Sequence, residues 1–164
     1  MSETRRVKDS QITINQIMGA TDANLYGNVH GGVIMKLIDE VGGIVAARHA
    51  HLPVVTVVMD SMTFISPVHV GELLRLDGSV NWVGRSAIEV GVKVQAENVL
   101  SGRLTHTNSA YVVYVALGAD GRPTPVPSLI LESDEERERF AAGERRQEHR
   151  LAMRTPRRSP NESA

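Results

Sequence analysis

A single stretch of helical period, followed by strand-period runs that no second helix separates, limits this chain to few architectures. From Val33 to about His49, Val33, Ile34, Leu37, Ile38, Val41, Ile44 and Val45 recur at three- and four-residue spacing. That is the stripe of a helix with one buried face. After Pro53 the period changes. Val54-Val55-Thr56-Val57-Val58-Met59 is a β-branched run and predicts a strand buried on both faces. Leu74, Leu76, Gly78, Val80 and Trp82 then alternate with Arg75, Asp77, Ser79 and Asn81, and Ile88, Val90, Val92 and Val94 alternate with Glu89, Gly91, Lys93 and Gln95. Thr105 to Leu117 carries Tyr111, Val113 and Val115 on one parity, and residues 11–18 read as a short leading strand. Gly84-Arg85 and Ser101-Gly102 supply tight turns. One strand, one helix and then an uninterrupted antiparallel meander predict the α+β class. A doubly wound fold is excluded, because parallel strands need crossover helices between them.

Composition divides the chain. All valines precede residue 127, whereas residues 129–164 are dense in charge of both signs. The expected organisation is a flexible N-terminus over 1–10, a folded domain over 11–128, a charged helix over 129–153 and a disordered tail over 154–164. Ser133 with Glu136 forms a capping box, and Glu135 with Arg139 an i,i+4 pair. With only Phe140, Leu151 and Met153 to bury, this helix is expected to be solvated and to dock weakly. The polar first ten residues and the shortness of every apolar run predict no signal peptide, no membrane span and a cytoplasmic protein. A net charge of -1 argues against a nucleic-acid partner. The absence of cysteine removes thiolate metal sites and a cysteine nucleophile. No histidine spacing suggests a metal, so none is expected.

The segment with chemical content is Asn24-Leu25-Tyr26-Gly27-Asn28-Val29-His30-Gly31-Gly32, which leads straight into the helix. Glycines at a helix entrance expose N–H groups at the positive end of the dipole, where an anion or oxyanion can sit. Within the helix, Leu37, Ile38, Val41 and Val45 lie within about 60° of Ile34, while Asp39 projects about 140° from it. Asp39 shares its strip with Gly42 and Gly43, whereas Glu40 shares a charged flank with Lys36. Mid-helix glycines cost about 1 kcal/mol each relative to alanine. Their presence implies that another backbone or a slim ligand approaches Asp39.

The run Asp22 to Gly32, continued by Met35-Lys36-Leu37-Ile38-Asp39-Glu40 and Ala46-Ala47-Arg48-His49, resembles the hotdog-fold acyl-CoA thioesterases. The branch it resembles is that of the brain-type acyl-CoA hydrolases and their bacterial relatives. Trp82-Val83-Gly84-Arg85-Ser86-Ala87-Ile88-Glu89-Val90 resembles the same family's Gly-Arg-Ser turn. The resemblance implies a hotdog fold, a long helix wrapped by an antiparallel sheet. It also implies edge-to-edge homodimers that assemble further into a hexamer, a trimer of dimers. It implies hydrolysis of acyl-CoA to free fatty acid and coenzyme A, with no cofactor, since coenzyme A is part of substrate and product. Asp39 matches the catalytic carboxylate, acting as base or nucleophile, and Asn24 the catalytic asparagine, supplied by the other subunit. His30, Gly31 and Gly32 match the entrance that polarises the thioester carbonyl, with the Gly32 N–H as oxyanion donor. Gly84, Arg85 and Ser86 match the turn that contacts coenzyme A, with Val57, Val58 and Met59 along the acyl or pantetheine channel.

Two other readings compete. A non-enzymatic acyl-CoA-binding regulator would use the same fold without turnover. A hotdog dehydratase would need a different histidine and acid arrangement, which the sequence lacks. The helical faces separate two adjacent acids and so make a prediction. Asp39→Ala should lower kcat by about 10²- to 10⁴-fold, the usual scale for losing a general base, while Glu40→Ala should be mild. Equal losses in acyl-CoA turnover at both positions would refute the assignment of Asp39 to a separate face.

Overall fold

The structure is a computed structural model that describes residues 3–60 and 62–153. The apolar stripe folds as α1 (Gly31–Ala50). Ile34, Leu37, Ile38, Val41 and Val45 are all buried, as their spacing predicts. His51 ends the helix in the left-handed region (φ 52°), with its N–H donating to Ala47 O.

The strands that follow are β3 (Val54–Met59), β4 (Leu73–Val83), β5 (Ala87–Asn98) and β6 (Arg103–Ala116). With the earlier β2 (Ile12–Ile17), they form an antiparallel five-stranded sheet in the order β2-β4-β5-β6-β3. The meander is therefore β4-β5-β6. β3 pairs with β6 rather than β4, at the opposite edge of the sheet from β2. One face of the sheet packs on α1 through Leu74, Leu76, Val80, Ile88, Val90, Val92, Val94, Val112 and Tyr114. Burying a side chain of this size fully stabilises the fold by about 1.5–3 kcal/mol.

Three sequence expectations need correction. First, β3 is not buried on both faces. Val55, Val57 and Val58 are 43%, 50% and 36% exposed, because β3 is an edge strand and no other described residue covers these side chains.

Second, residues 3–10 of the expected flexible lead are not simply flexible. β1 (Thr4–Arg6) pairs in parallel with β7 (Ser128–Ile130). The Arg5 guanidinium donates to Arg48 O and His51 Nδ1, both at 3.0 Å, so the end of α1 holds this ribbon. Nearby His49 is fully buried, and its Nε2 donates to Pro127 O at 2.9 Å.

Third, α2 (Asp134–Ala152) has the expected capping box and the Glu135–Arg139 pair, but it is not weakly docked. Leu151 and Met153 stay exposed. The helix is held by charge instead. Glu89, fully buried on the face opposite α1, receives Arg146 at 2.6 Å and Arg150 at 2.9 Å. Arg150 also binds Asp60, and the Arg146 guanidinium lies 3.7 Å over the Tyr111 ring. At Gly143 the helix backbone comes so near the sheet that an added Cβ would sit 2.6 Å from Trp82 Cβ. An apolar count could not register this docking, because its free energy comes from paired charges. The expected disordered tail, 154–164, lies outside the described residues.

Two predictions follow from these contacts. Replacing Arg146 and Arg150 together by alanine leaves Glu89 an unpaired buried carboxylate, at a cost of about 3–5 kcal/mol. The denaturation midpoint should drop, and adding Glu89→Leu should recover most of the loss. An unchanged midpoint in the double variant would mean that α2 docks by other means. The second prediction concerns pH. Burial, first among the causes, holds the His49 pKa below the usual histidine value of 6.5. The unfolded chain therefore takes up the proton first as pH falls. The His49 contribution should be complete above about pH 6.5 and decline below it until the folded-state pKa is reached. His49→Gln should flatten urea stability between about pH 5 and 7. An unaltered slope would exclude His49 as the source.

Candidate active site

The loop before α1 is a tight hairpin. Asn24 N–H donates to Asn28 O, and Gly27, at φ 81°, closes the turn. The Asn24 side-chain oxygen accepts the N–H groups of Tyr26 (2.8 Å) and Asn28 (3.3 Å). The loop's own turn therefore consumes that oxygen and leaves the amide NH₂ as the group Asn24 can offer. Leu25 and Tyr26 project almost fully exposed from the tip.

At the helix entrance the sequence expectation changes. Gly32 N–H, expected as the oxyanion donor, is occupied by His30 Nδ1 at 2.9 Å. His30 is the N-cap of α1, and Val33 N–H donates to its carbonyl. Among the described residues the Gly31 N–H has no acceptor. The vacant donor is thus one residue earlier than expected, because the imidazole caps the helix. The Phe64 ring packs beside Gly31, where an added Cβ would lie 3.4 Å from it.

Asp39 lies half-buried on α1, facing β3 and β6. Its Oδ1 accepts the Thr56 hydroxyl at 2.7 Å. The Tyr114 hydroxyl is shared between the Asp39 backbone carbonyl (3.0 Å) and Oδ1 (3.3 Å). Burial first, then the Asp39 charge, pushes the Tyr114 phenol well above its ordinary pKa, so it stays a donor. The other carboxylate oxygen, Oδ2, has no partner among the described residues. Asp39 lines a groove of about 580 Å³ with Gly43, Ile44, Val54 and Thr56. Glu40 pairs with Lys36 at 3.5 Å on the exposed flank, so the two acids do different things.

Gly42 has a simpler cause than an approaching backbone or ligand. The Tyr114 ring lies on it, and an added Cβ would come within 3.0 Å of two ring carbons. Gly43 is looser, 3.8 Å from that ring, and opens onto the groove.

Sequence reasoning missed Thr56 and Tyr114. Thr56 is the lone polar residue in a β-branched run, which was the available signal. It pairs with Tyr114 in the sheet, and the register then slips at Val57, a bulge beside the carboxylate. Val57 and Val58 lie exposed at this edge, with Met59 half-buried. Gly84, Arg85 and Ser86 form the β4–β5 turn, held by Ala116 N–H on Ser86 O and Val126 N–H on Arg85 O. Arg85 is exposed. Ala116 pairs with Val54 of β3, so the turn lies two strand spacings, about 10 Å, from β3.

Not all of these groups meet within one chain. Gly31 and Asp39 are eight residues apart on one straight helix, a rise of about 12 Å. Asn24 lies further out, before the helix begins. The entrance donors and the carboxylate therefore do not share a site in a single copy.

The profile of the thioesterase superfamily matches residues 26–102. The chain is 38% identical over 146 residues to the cytosolic acyl coenzyme A thioester hydrolase of Rattus norvegicus. That match covers 88% of this chain but spans only 38% of the length of the relative. The structure superposes on an apo-hexameric acyl-CoA thioesterase with a TM-score of 0.88 and 33% identity, covering 93% of this chain and 99% of the other. An acyl-CoA hydrolase of Staphylococcus aureus, solved with butyryl coenzyme A and coenzyme A, matches with a TM-score of 0.85 and 30% identity over 91% of each chain. Alanine variants of that hydrolase at an aspartate, an asparagine and a threonine match as well. With near-complete coverage of a solved thioesterase, a helix laid on an antiparallel sheet and a carboxylate at its open edge, this chain belongs to the hotdog-fold thioesterase superfamily.

Proposed function

We propose that the protein hydrolyses acyl-CoA thioesters to free acid and coenzyme A, in a site shared between two copies. The observation that carries this is Asp39, whose Oδ1 is tied by Thr56 while Oδ2 faces a largely apolar groove. A carboxylate held in one plane with one oxygen free is suited to take a proton from water. That water adds to the acyl carbon. The tetrahedral oxyanion then forms against the Gly31 N–H and the Asn24 NH₂ of a second copy. Collapse breaks the C–S bond, and Asp39 returns its proton to the departing sulfur. Arg85 and Ser86 would hold the coenzyme A phosphates, and Val57, Val58 and Met59 the acyl or pantetheine arm.

The second copy is argued from two features. The donors and the carboxylate lie too far apart within one chain, and the edge strand leaves Val55, Val57 and Val58 uncovered at the side where exposed Ile44 of α1 lines the Asp39 groove. Pairing β3 to β3 would extend the sheet and cover them. Further assembly to a hexamer is supported by the hexameric thioesterase that matches. No described helix is long and apolar enough to cross a membrane. A cytoplasmic site of action is proposed by analogy with the relative named cytosolic. The choice of an aspartate, an asparagine and a threonine for substitution in the S. aureus hydrolase supports the roles proposed for Asp39, Asn24 and Thr56.

Release of free thiol from a panel of acyl-CoA substrates is the direct test, and the absence of cysteine keeps that readout clean. Binding without thiol release would favour the regulator reading. Thr56→Val removes a hydrogen bond to a charged group, so kcat should fall by about 10- to 100-fold with KM little changed. The shared site can be tested by complementation. Asn24→Ala and Asp39→Ala chains, each inactive alone, should recover about a quarter of wild-type activity after exchange. Half the dimers would be mixed, each with one intact site. Failure to recover after demonstrated exchange would place the whole site within one chain.

A further inference from the structure

On the sheet face opposite α1, a groove of about 460 Å³ runs between β4, β5, β6 and α2. Its floor contains an unusual polar group. Asn81 is the extra residue where the β4–β5 register slips between Val80 and Trp82. A bulge re-aims its side chain, here onto the face that Trp82 shares with α2. Gly91 makes the room, since a Cβ there would lie 2.6 Å from Asn81 Nδ2. Asn81 is only 3% exposed, lines the groove, and its amide has no hydrogen-bond partner among the described residues. With no partner among the described residues, the Asn81 amide stays open to the groove, where a polar group from outside the chain can reach it.

The charged residues of the lining are three cations, Lys93, Arg139 and Arg146, against one acid, Asp77. Arg139 Nε is buried without an acceptor, although its Nη1 holds Glu135 at 3.2 Å. Arg146 enters from the same helix, and exposed Lys93 forms no ion pair among the described residues. The acids nearby are already engaged. Asp77 is held by Arg75 at 3.1 Å and by the Thr13 hydroxyl, and Glu89 by Arg146 and Arg150. Anions are thus favoured and cations are not.

We propose that this groove is a second binding site, for a small molecule that carries a carboxylate or phosphate group. The oxyanion would lie between Arg139 and Lys93, and an adjoining polar group would satisfy the Asn81 amide. The cavity is in the size range of small-molecule sites. The sheet separates it from Asp39, so this proposal and the hydrolysis reading can fail independently.

The test is calorimetric titration of the full chain with orthophosphate and, separately, with citrate. At least one probe should saturate at one molecule per chain. Saturation by phosphate alone, or by citrate alone, supports the site and identifies its preferred anion. Arg139→Gln and Asn81→Ala should each weaken that probe by about tenfold or more, as expected for losing a hydrogen bond to a charged group. Asp39→Ala should leave it unchanged. Lys93→Gln, at an exposed position, provides a variant whose folding is not at risk and should also weaken binding. Saturation by neither probe would overturn the proposal. So would equal affinity in all three groove variants, or loss of binding in Asp39→Ala.

Discussion

The Tyr114 phenol is the contact on which the site depends. Its ring lies in the space that Gly42 leaves on α1, and its hydroxyl reaches the carbonyl and carboxylate of Asp39. A side chain at position 42 would push helix and sheet apart and separate Asp39 from Thr56. Tyr114 of β6 thus sets how closely the helix approaches and, together with Thr56 of β3, which oxygen of Asp39 is held and which is free. The helix-propensity cost of Gly42 is offset by this packing.

The sheet has two faces with different physics, and the parity of β5 assigns them. Ile88, Val90, Val92 and Val94 point into an apolar core against α1. Glu89 and Gly91 point the other way, where α2 meets them with arginines. A fully buried glutamate is tolerable only because two guanidiniums and a closed packing geometry compensate its lost hydration. The charge that makes α2 look solvated is therefore what fastens it, and Arg150 extends the same fastening to Asp60 at the end of β3.

Helix length imposes the remaining constraint. Eight residues of rise separate the vacant Gly31 donor from Asp39, and a straight helix cannot bring its own entrance to its middle. An exposed valine edge beside that carboxylate is what a chain needing a second copy would present. Incompleteness of the site and incompleteness of the sheet point to the same surface.

Much of this was legible in the residues. The 3.6-residue stripe located α1, alternation located β4 to β6, and helical angles separated Asp39 from Glu40, because local periodicity reports which face is buried. The capping box at Ser133 and the entrance motif from Asn24 to Gly32 were equally local. Other features were decided only by tertiary structure. The valines of β3 read as a central strand, since composition does not reveal whether a strand lies at an edge. Glu89 with Arg146 and Arg150 could not be paired across some 60 positions by pattern. The occupation of Gly32 by His30, and the meeting of Thr56 and Tyr114 on Asp39, arise from three-dimensional packing. The sequence by itself determined α1, the strands β4 to β6 and their buried faces, because these follow from spacing along the backbone. Tertiary structure alone decided which strand lies at the edge, how the charged helix is held and which oxygen of Asp39 is free, because these depend on groups distant in sequence and close in space.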